Sequence, residues 1–336
     1  MPVGEAVRVA AFGDADVLVH VAEHEAVAAP GPTEVCIDVR AAHVNPVDTY
    51  IRSGKYARLP ELPYTPGKDV AGVVSAVGSA VTTLAVGDRV YSAAGQGTYA
   101  SACLAEAEAV LRAPPGLSHA QASVLGVPFH TAYRAVFVKA DARAGETLLV
   151  HGASGSVGLA AVALASRRGV RVVGTASSEA GRALVLEAGA FAAFGHDDAE
   201  ALAAAAPPGG YDAAVTSLAS STLPLDLRLL RVGGRLAIYG NRGEVTINAR
   251  DIMAKELVVR GAMLAKTRPE ERREAAAAIF ALCTGPDAYA PEVATVLPMS
   301  EAARAHREVI EHPGGAAGAI VLVPAGAARA AAAGEL

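Results

Sequence analysis

The stretch TLLVHGASGSVGLAAVALASRRG, Thr147 to Gly169, constrains the fold more than any other part of the chain. A short apolar run, Leu148 to Val150, suits a strand buried on both faces of a parallel sheet. Leu159, Val162, Ala163 and Ser166 then recur at helical spacing, and Gly169 ends the pattern. Between strand and helix stand Gly152, Gly155 and Gly158, each three residues from the next. The first allows a tight turn, the second lets backbone amides approach a pyrophosphate, and the third lets the helix pack closely on the strand. A helix opening near Ser156 aims its unpaired N–H groups and the positive end of its dipole at that phosphate. Glycine turns alone are weak evidence in a chain with 34 glycines. Strand, turn and helix agree here, so the segment predicts a dinucleotide site rather than a purely structural turn.

A second strand is predicted at VRVVGT from Val170. An acid at its end, about 20 positions past the first glycine, would bond a ribose 2′-hydroxyl and favour NAD. The chain has Thr175, Ala176, Ser177 and Ser178 there, and Glu179 falls where Ser178 reads as the cap of a new helix. Arg182, one turn further on, suits a 2′-phosphate, so NADP is the predicted cofactor; otherwise Arg182 is simply a solvated helix arginine.

A chain of 336 residues, 52% hydrophobic and 19% charged, is long enough for two soluble domains. Its net charge of −5 argues against a nucleic-acid backbone as the main ligand. Cys36, Cys103 and Cys283 are odd in number and widely spaced, which suggests neither a disulfide framework nor a structural zinc lobe. With no signal-peptide pattern at the start and no long apolar run to span a bilayer, the expected location is the cytoplasm.

The first third carries short runs, VRVAAF, EVCIDVRAAHV, VAGVVSAVG and GDRVYSA, separated by turn residues, which predicts a β-rich barrel or sandwich. From about Pro114 helical spacing in VPFHTAYRAVFVKA is followed by strands alternating with helices, TLLVHG, VRVVGT, FAAF, YDAAVTSL and RLAIYG, the pattern of a doubly wound parallel sheet. Helices near Pro269 to Cys283 and Ser300 to Glu311 precede a last strand, GAIVLV. The fold class is therefore α/β, divided as 1–122, 123–262, a segment 263–326 returning to the first domain, and a low-complexity tail, 327–336, expected to be frayed or disordered. The cleft between domains is the expected active site.

Four segments, VNPVDTYIRSGKY (Val44 to Tyr56), LPYTPGKDVAGVVSAVG (Leu62 to Gly78), VPFHTAYRA (Val127 to Ala135) and HGASGSVG, together resemble the zeta-crystallin type of quinone oxidoreductase, the zinc-free branch of the medium-chain dehydrogenase/reductase superfamily. The resemblance runs from VRVAAF to GAIVLV and implies a GroES-like catalytic domain, a Rossmann domain binding NADPH, quinones as acceptors and a homodimer or homotetramer. Zinc-dependent relatives carry a cysteine ligand and a His-Glu pair where this chain has Asn45, Lys68 and Asp69, so no metal is expected. The resemblance further implies Tyr50 beside the nicotinamide end of NADPH, with Asn45, Tyr56 and Thr131 around the acceptor. Each has a plainer alternative: an anchoring loop tyrosine, a turn residue before Pro46, or helix packing. Asp48 is expected to bond backbone rather than do chemistry. On the cofactor side the resemblance implies Ser154, Gly155, Ser156, Val157, Ser177, His196, Ser220, Tyr239, Gly240, Asn241 and Arg242. Ser177 and Ser220 depart from the family's usual glycine and asparagine, and His196 is equally readable as an exposed loop histidine.

A quinone needs only hydride placement, since water can protonate the hydroquinone anion. The alternatives are an NADPH-dependent reductase of α,β-unsaturated carbonyls or enoyl thioesters, with Tyr50 or Tyr56 as acid, and, in a different class, an NADPH-binding structural or RNA-binding protein.

Overall fold

The computed structural model describes residues 4–25, 27–311 and 317–326; the expected tail at 327–336 lies outside the described residues. Two compact units form, Met1–Val127 with Ala290–Leu336, and Pro128–Tyr289.

The first unit begins with an antiparallel pair, β1 (Gly4–Arg8) and β2 (Val19–His24). Then come β3 (Glu34–His43), α1 (Pro46–Arg52), β4 (Val70–Val77), β5 (Arg89–Ser92), β6 (Ala102–Glu106), β7 (Val110–Arg112) and α2 (His119–Val124). Alternate β3 residues Val35, Ile37 and Val39 face a core that also takes Val70, Val74, Val90, Cys103 and the fully buried Tyr99. This is the two-residue period expected of an antiparallel sheet with one face covered.

The second unit takes α3 (Val127–Tyr133) from Pro128 onward, then a π-helical segment, Arg134–Lys139. Strands and helices then alternate: β8 (Thr147–Val150), α4 (Ser156–Ser166), β9 (Arg171–Thr175), α5 (Glu179–Glu187), β10 (Ala192–Phe194), α6 (Ala199–Ala205), β11 (Tyr211–Thr216), α7 (Ala219–Leu229), β12 (Leu230–Ile238), α8 (Ala249–Lys255), β13 (Val258–Gly261) and α9 (Pro269–Thr284). The sheet order is β10-β9-β8-β11-β12-β13, parallel throughout. The order reverses beside β8, so the glycine turn leaves the sheet at its topological switch point, where open α/β sheets bind ligands.

The chain then returns to the first unit through β14 (Val293–Pro298), α10 (Ala302–Glu311) and β15 (Ala319–Val323). β15 runs antiparallel to β3 through Val321 and His43, which extends the first sheet to the order β14-β15-β3-β4-β5-β7, with β6 also on β3.

The observed boundaries differ from those expected. The second unit starts at Pro128 rather than 123, and the return begins at Ala290 rather than 263. The reason is α9: it buries Ala275, Ile279, Leu282 and Cys283, and its Glu271 pairs with Arg134 of the π-helical segment. That holds α9 in the second unit. Strands β13 and β14 had no clear pattern in the sequence, β13 because all four of its residues are exposed at a sheet edge.

Candidate active site

In the first unit the segment expected as a loop is the helix α1. Pro46 opens it, where a missing N–H is harmless, and Asp48 Oδ2 accepts the Asn45 backbone N–H at 2.9 Å, so Asp48 bonds backbone as expected. Tyr50 thus projects from a short helix rather than a loop, half-buried, and Tyr56 lies half-buried in the irregular stretch that follows.

Asn45 is buried, and its amide Nδ2 donates to Asp69 Oδ2 at 2.7 Å. The same oxygen lies 3.0 Å from His43 Nδ1, while Asp69 Oδ1 accepts the Val127 N–H at 2.7 Å. Three donors therefore satisfy one fully buried carboxylate. A second buried acid, Asp48, is pushed up to about 6 by burial, against the lowering effect of the Asn45 N–H. The Tyr99 hydroxyl donates to Asp48 Oδ2 at 3.2 Å and lies 3.2 Å from His306 Nε2, and burial holds the His306 imidazole down at about 3. These contacts fix α1, and with it Tyr50, from beneath. The sequence singled out neither His43, Tyr99 nor His306, since their partners are distant along the chain.

In the second unit the three glycines take three distinct roles. Gly152 sits at φ +65, a left-handed conformation, and a Cβ there would fall 2.7 Å from Ser217 Oγ. A Cβ on Gly158 would fall 2.3 Å from the Gly152 carbonyl oxygen and 2.5 Å from Ala153 Cα, so only glycine lets α4 pack against the turn. Gly155 is the N-cap of α4 at φ −77, and its Cβ would meet only the Gly152 oxygen, at 3.6 Å. The protein leaves space at Gly155 that it does not use itself, before a helix without a side-chain cap. That is the form of a pyrophosphate cradle.

Around it, Ser178 caps α5 by accepting the Gly181 N–H at 3.1 Å, as its sequence predicts, and leaves Ser177 exposed. The Arg182 guanidinium is partly exposed and makes no ion pair or hydrogen bond among the described residues. No carboxylate stands between Thr175 and Ser178. The donor set therefore fits a 2′-phosphorylated dinucleotide. Ser154 is buried, and Ser156, Val157 and Gly158 form the first turn of α4. Asn241 Oδ1 accepts the Ser220 N–H at 2.7 Å and its amide bonds the Gly243 carbonyl, which ties the Tyr239–Arg242 run to the start of α7. A Cβ on Gly240 would fall 2.3 Å from the Ser217 carbonyl oxygen, so those loops pack backbone to backbone. Tyr239 is raised to about 12 by burial of its hydroxyl, which holds the phenol protonated. His196 Nδ1 lies 2.8 Å from Thr175 Oγ1, on an exposed loop. Thr131 is buried in α3, within this unit, whereas Asn45, Tyr50 and Tyr56 belong to the first. Asp226 was missed in the sequence, because its partner His151 lies 75 residues away.

Comparison with known proteins assigns these features to a family. Residues 31–142 match the alcohol dehydrogenase GroES-like domain, and residues 156–281 match the zinc-binding dehydrogenase domain. The quinone oxidoreductase of Rattus norvegicus is 42% identical over 322 residues, 95% of this chain and 97% of that protein. The chain belongs to the quinone oxidoreductase family of medium-chain dehydrogenases/reductases. The Homo sapiens quinone oxidoreductase is 41% identical over 324 residues, with the same shares covered. A mycobacterial protein solved in complex with NADPH superposes with a TM-score of 0.85 at 31% identity, over 95% of this chain and 100% of that one. The family resemblance read from the sequence and the GroES-like plus Rossmann architecture are thereby borne out.

Zinc, named in one domain description, does not fit this member of the quinone oxidoreductase family. Asp69 already accepts three N–H donors, its neighbour Lys68 is not among the usual zinc ligands, and Asn45 has its amide engaged. Among the described residues no group of three or more His, Cys, Asp or Glu could hold a metal ion.

Proposed function

We propose that the protein reduces quinones with NADPH: a hydride and a proton convert the quinone to the hydroquinone and leave NADP⁺, with no metal ion taking part. The observation that carries the reading is the open cradle at Gly155 with the unpaired Arg182 nearby in sequence, in a chain 42% identical to a quinone oxidoreductase over nearly its whole length. NADPH supplies the hydride when bound. The chain's task is to bind it, orient the acceptor and exclude water.

On this reading Gly152, Ser154, Gly155, Ser156, Val157 and Gly158 hold the pyrophosphate, Ser177, Arg182 and His196 the adenosine side, and Ser220 with Tyr239, Gly240, Asn241 and Arg242 the remainder of the cofactor. Tyr50 and Tyr56 of the first unit, and Thr131 of the second, are the candidates for contact with the acceptor. Asn45 acts as a positioning residue, because its amide is engaged by Asp69 and its backbone by Asp48. The first unit is then the catalytic domain and the second the cofactor domain. We place the protein in the cytoplasm: its three cysteines are free, and among the described residues no helix is long and apolar enough to cross a membrane. A homodimer or homotetramer is supported by β13, an edge strand that exposes Val258 and Val259.

A panel of acceptors with NADPH tests the reading: 1,4-benzoquinone, 9,10-phenanthrenequinone, an alkenal and an enoyl thioester. The expected result is the highest kcat/KM on a quinone. Faster turnover of the alkenal or thioester would overturn it in favour of an ene reductase.

A further inference from the structure

Directly behind the glycine turn lies a chain of four polar side chains. Asp226 of α7, His151 at the end of β8 and Thr175 at the end of β9 are all buried, and His196 continues the chain to the surface. His151 Nε2 lies 2.8 Å from Asp226 Oδ1. Thr175 Oγ1 lies 3.3 Å from His151 Nδ1 and 2.8 Å from His196 Nδ1, and it accepts the Gly152 backbone N–H at 3.2 Å. One hydroxyl therefore joins two imidazoles to the first glycine of the cradle.

Hydrogen-bond capacity orders the protons along this chain. A carboxylate only accepts, so Asp226 requires the His151 proton on Nε2. In the neutral ring His151 Nδ1 is then an acceptor, and it takes the single proton that Thr175 can donate. The Thr175 lone pairs remain for two donors, the Gly152 N–H and an N–H on His196 Nδ1. His196 is left with Nε2 as a bare lone pair and as its one site for a further proton.

We propose that Asp226, His151 and Thr175 are positioning residues that hold the His196 proton on Nδ1, so that His196 takes up a second proton at Nε2 when a 2′-phosphorylated ribose binds. The proposal rests on the NADPH reading above. Its physical advantage is preorganisation: Thr175 accepts from His196 Nδ1–H in both charge states, so gaining a positive charge needs no rearrangement of the buried relay. Burial is the largest effect holding free His196 below its ordinary value; the neighbouring His151 adds to it and Asp197 opposes it. An incoming phosphate dianion reverses that balance. His196 would thus tie discrimination between NADPH and NADH to pH, and Thr175 would tie that loop to the shape of the cradle through Gly152.

Three measurements on the full chain test this. First, ring ¹⁵N shifts of His196 in the cofactor-free protein at pH 8.5 should show the proton on Nδ1; a proton on Nε2 would overturn the proposal. Second, titration calorimetry in buffers of different ionisation enthalpy should show uptake of about half a proton or more on binding NADPH near pH 7.5, and none with NADH. Above pH 7 the phosphate is already a dianion, since its second pKa is about 6, so uptake there reports the protein. Third, Thr175→Val should abolish the uptake and weaken NADPH about tenfold, with Thr175→Ser restoring both. His196→Gln, at an exposed position, should also lose the uptake, and it decides the matter if Thr175→Val does not fold. NADPH binding with no proton uptake by the wild type, or uptake surviving in His196→Gln, would refute the relay while leaving the cofactor reading intact. A protein that binds no NADPH at all would overturn both.

Discussion

Replacing Gly155 by valine should separate cofactor binding from folding. Gly155 lies at φ −77 and ψ 165, extended backbone open to any residue, and an added Cβ meets only the Gly152 oxygen at an ordinary 3.6 Å. The cofactor-free protein should therefore melt within about 2 °C of the wild type, since glycine's greater unfolded-state entropy, about 0.4–1 kcal/mol, offsets the weaker capping. On the proposed reading, the space that Cβ fills is where the pyrophosphate approaches the amides of α4. Losing two charge-assisted hydrogen bonds, each about 1.5–3 kcal/mol, weakens NADPH by about 100-fold or more. Gly158→Ala is the contrasting control: its Cβ would sit 2.3 Å from the Gly152 oxygen and 2.5 Å from Ala153 Cα, both backbone. Overpacking of that kind costs about 1–3 kcal/mol, so Gly158→Ala should lower Tm by several degrees even without cofactor. Thermal melts without ligand and fluorescence titration with NADPH measure both quantities. A folded Gly155→Val protein whose Kd for NADPH stays within threefold of wild type would refute the cradle.

Arg182→Ala should cut the preference for NADPH over NADH by about 10 to 100-fold in kcat/KM, and equal use of the two by the wild type would remove Arg182 from the site. Purified protein should hold no stoichiometric zinc and keep its activity in EDTA; activity lost to chelator and restored by zinc would sink the metal-free reading. Tyr50→Phe should lower quinone kcat less than tenfold, against the 10²–10⁴ typical of general acid catalysis, and a hundredfold loss would show that Tyr50 supplies the proton. The folded chain should also lose stability in acid: burial holds His130 at about 4 and His306 at about 3, so the unfolded chain binds more protons below pH 6.5. Asp48 acts oppositely. Its folded value of about 6 exceeds that of the unfolded chain, so its carboxyl opposes folding increasingly as pH rises from about 4 to 6. Urea midpoints from pH 4 to 7 for wild type, His306→Gln and Asp48→Asn check both directions: the first variant should flatten the acid loss and the second should steepen it. Parallel profiles for all three would contradict the assignments.

The strand, turn and helix proposed to hold the cofactor were legible because they are local. The strand, turn and helix from Thr147 to Gly169 each depend on neighbours within a few residues, so glycine spacing and apolar period predicted β8, α4 and the Ser178 cap of α5. The same locality explains the misses. α1 read as a loop because a seven-residue helix around NPVDTYIR has too few turns to show a period, and its stability comes from Asp48 closing back on Asn45 and from the core beneath. The domain boundary at 263 misplaced α9, because an ion pair between Arg134 and Glu271 leaves no trace in local composition.

By itself the sequence determined the two kinds of sheet, the glycine cradle and the family, since hydrophobic period and turn chemistry act over a few residues. Only the tertiary structure decided which buried polar groups face one another. His43 meets Asp69, Tyr99 joins Asp48 to His306, and Asp226 reaches His151 from 75 residues away. Each of those polar groups must find a partner once water is excluded, and which partner it finds depends on how distant strands and helices pack, information that no window of the sequence holds.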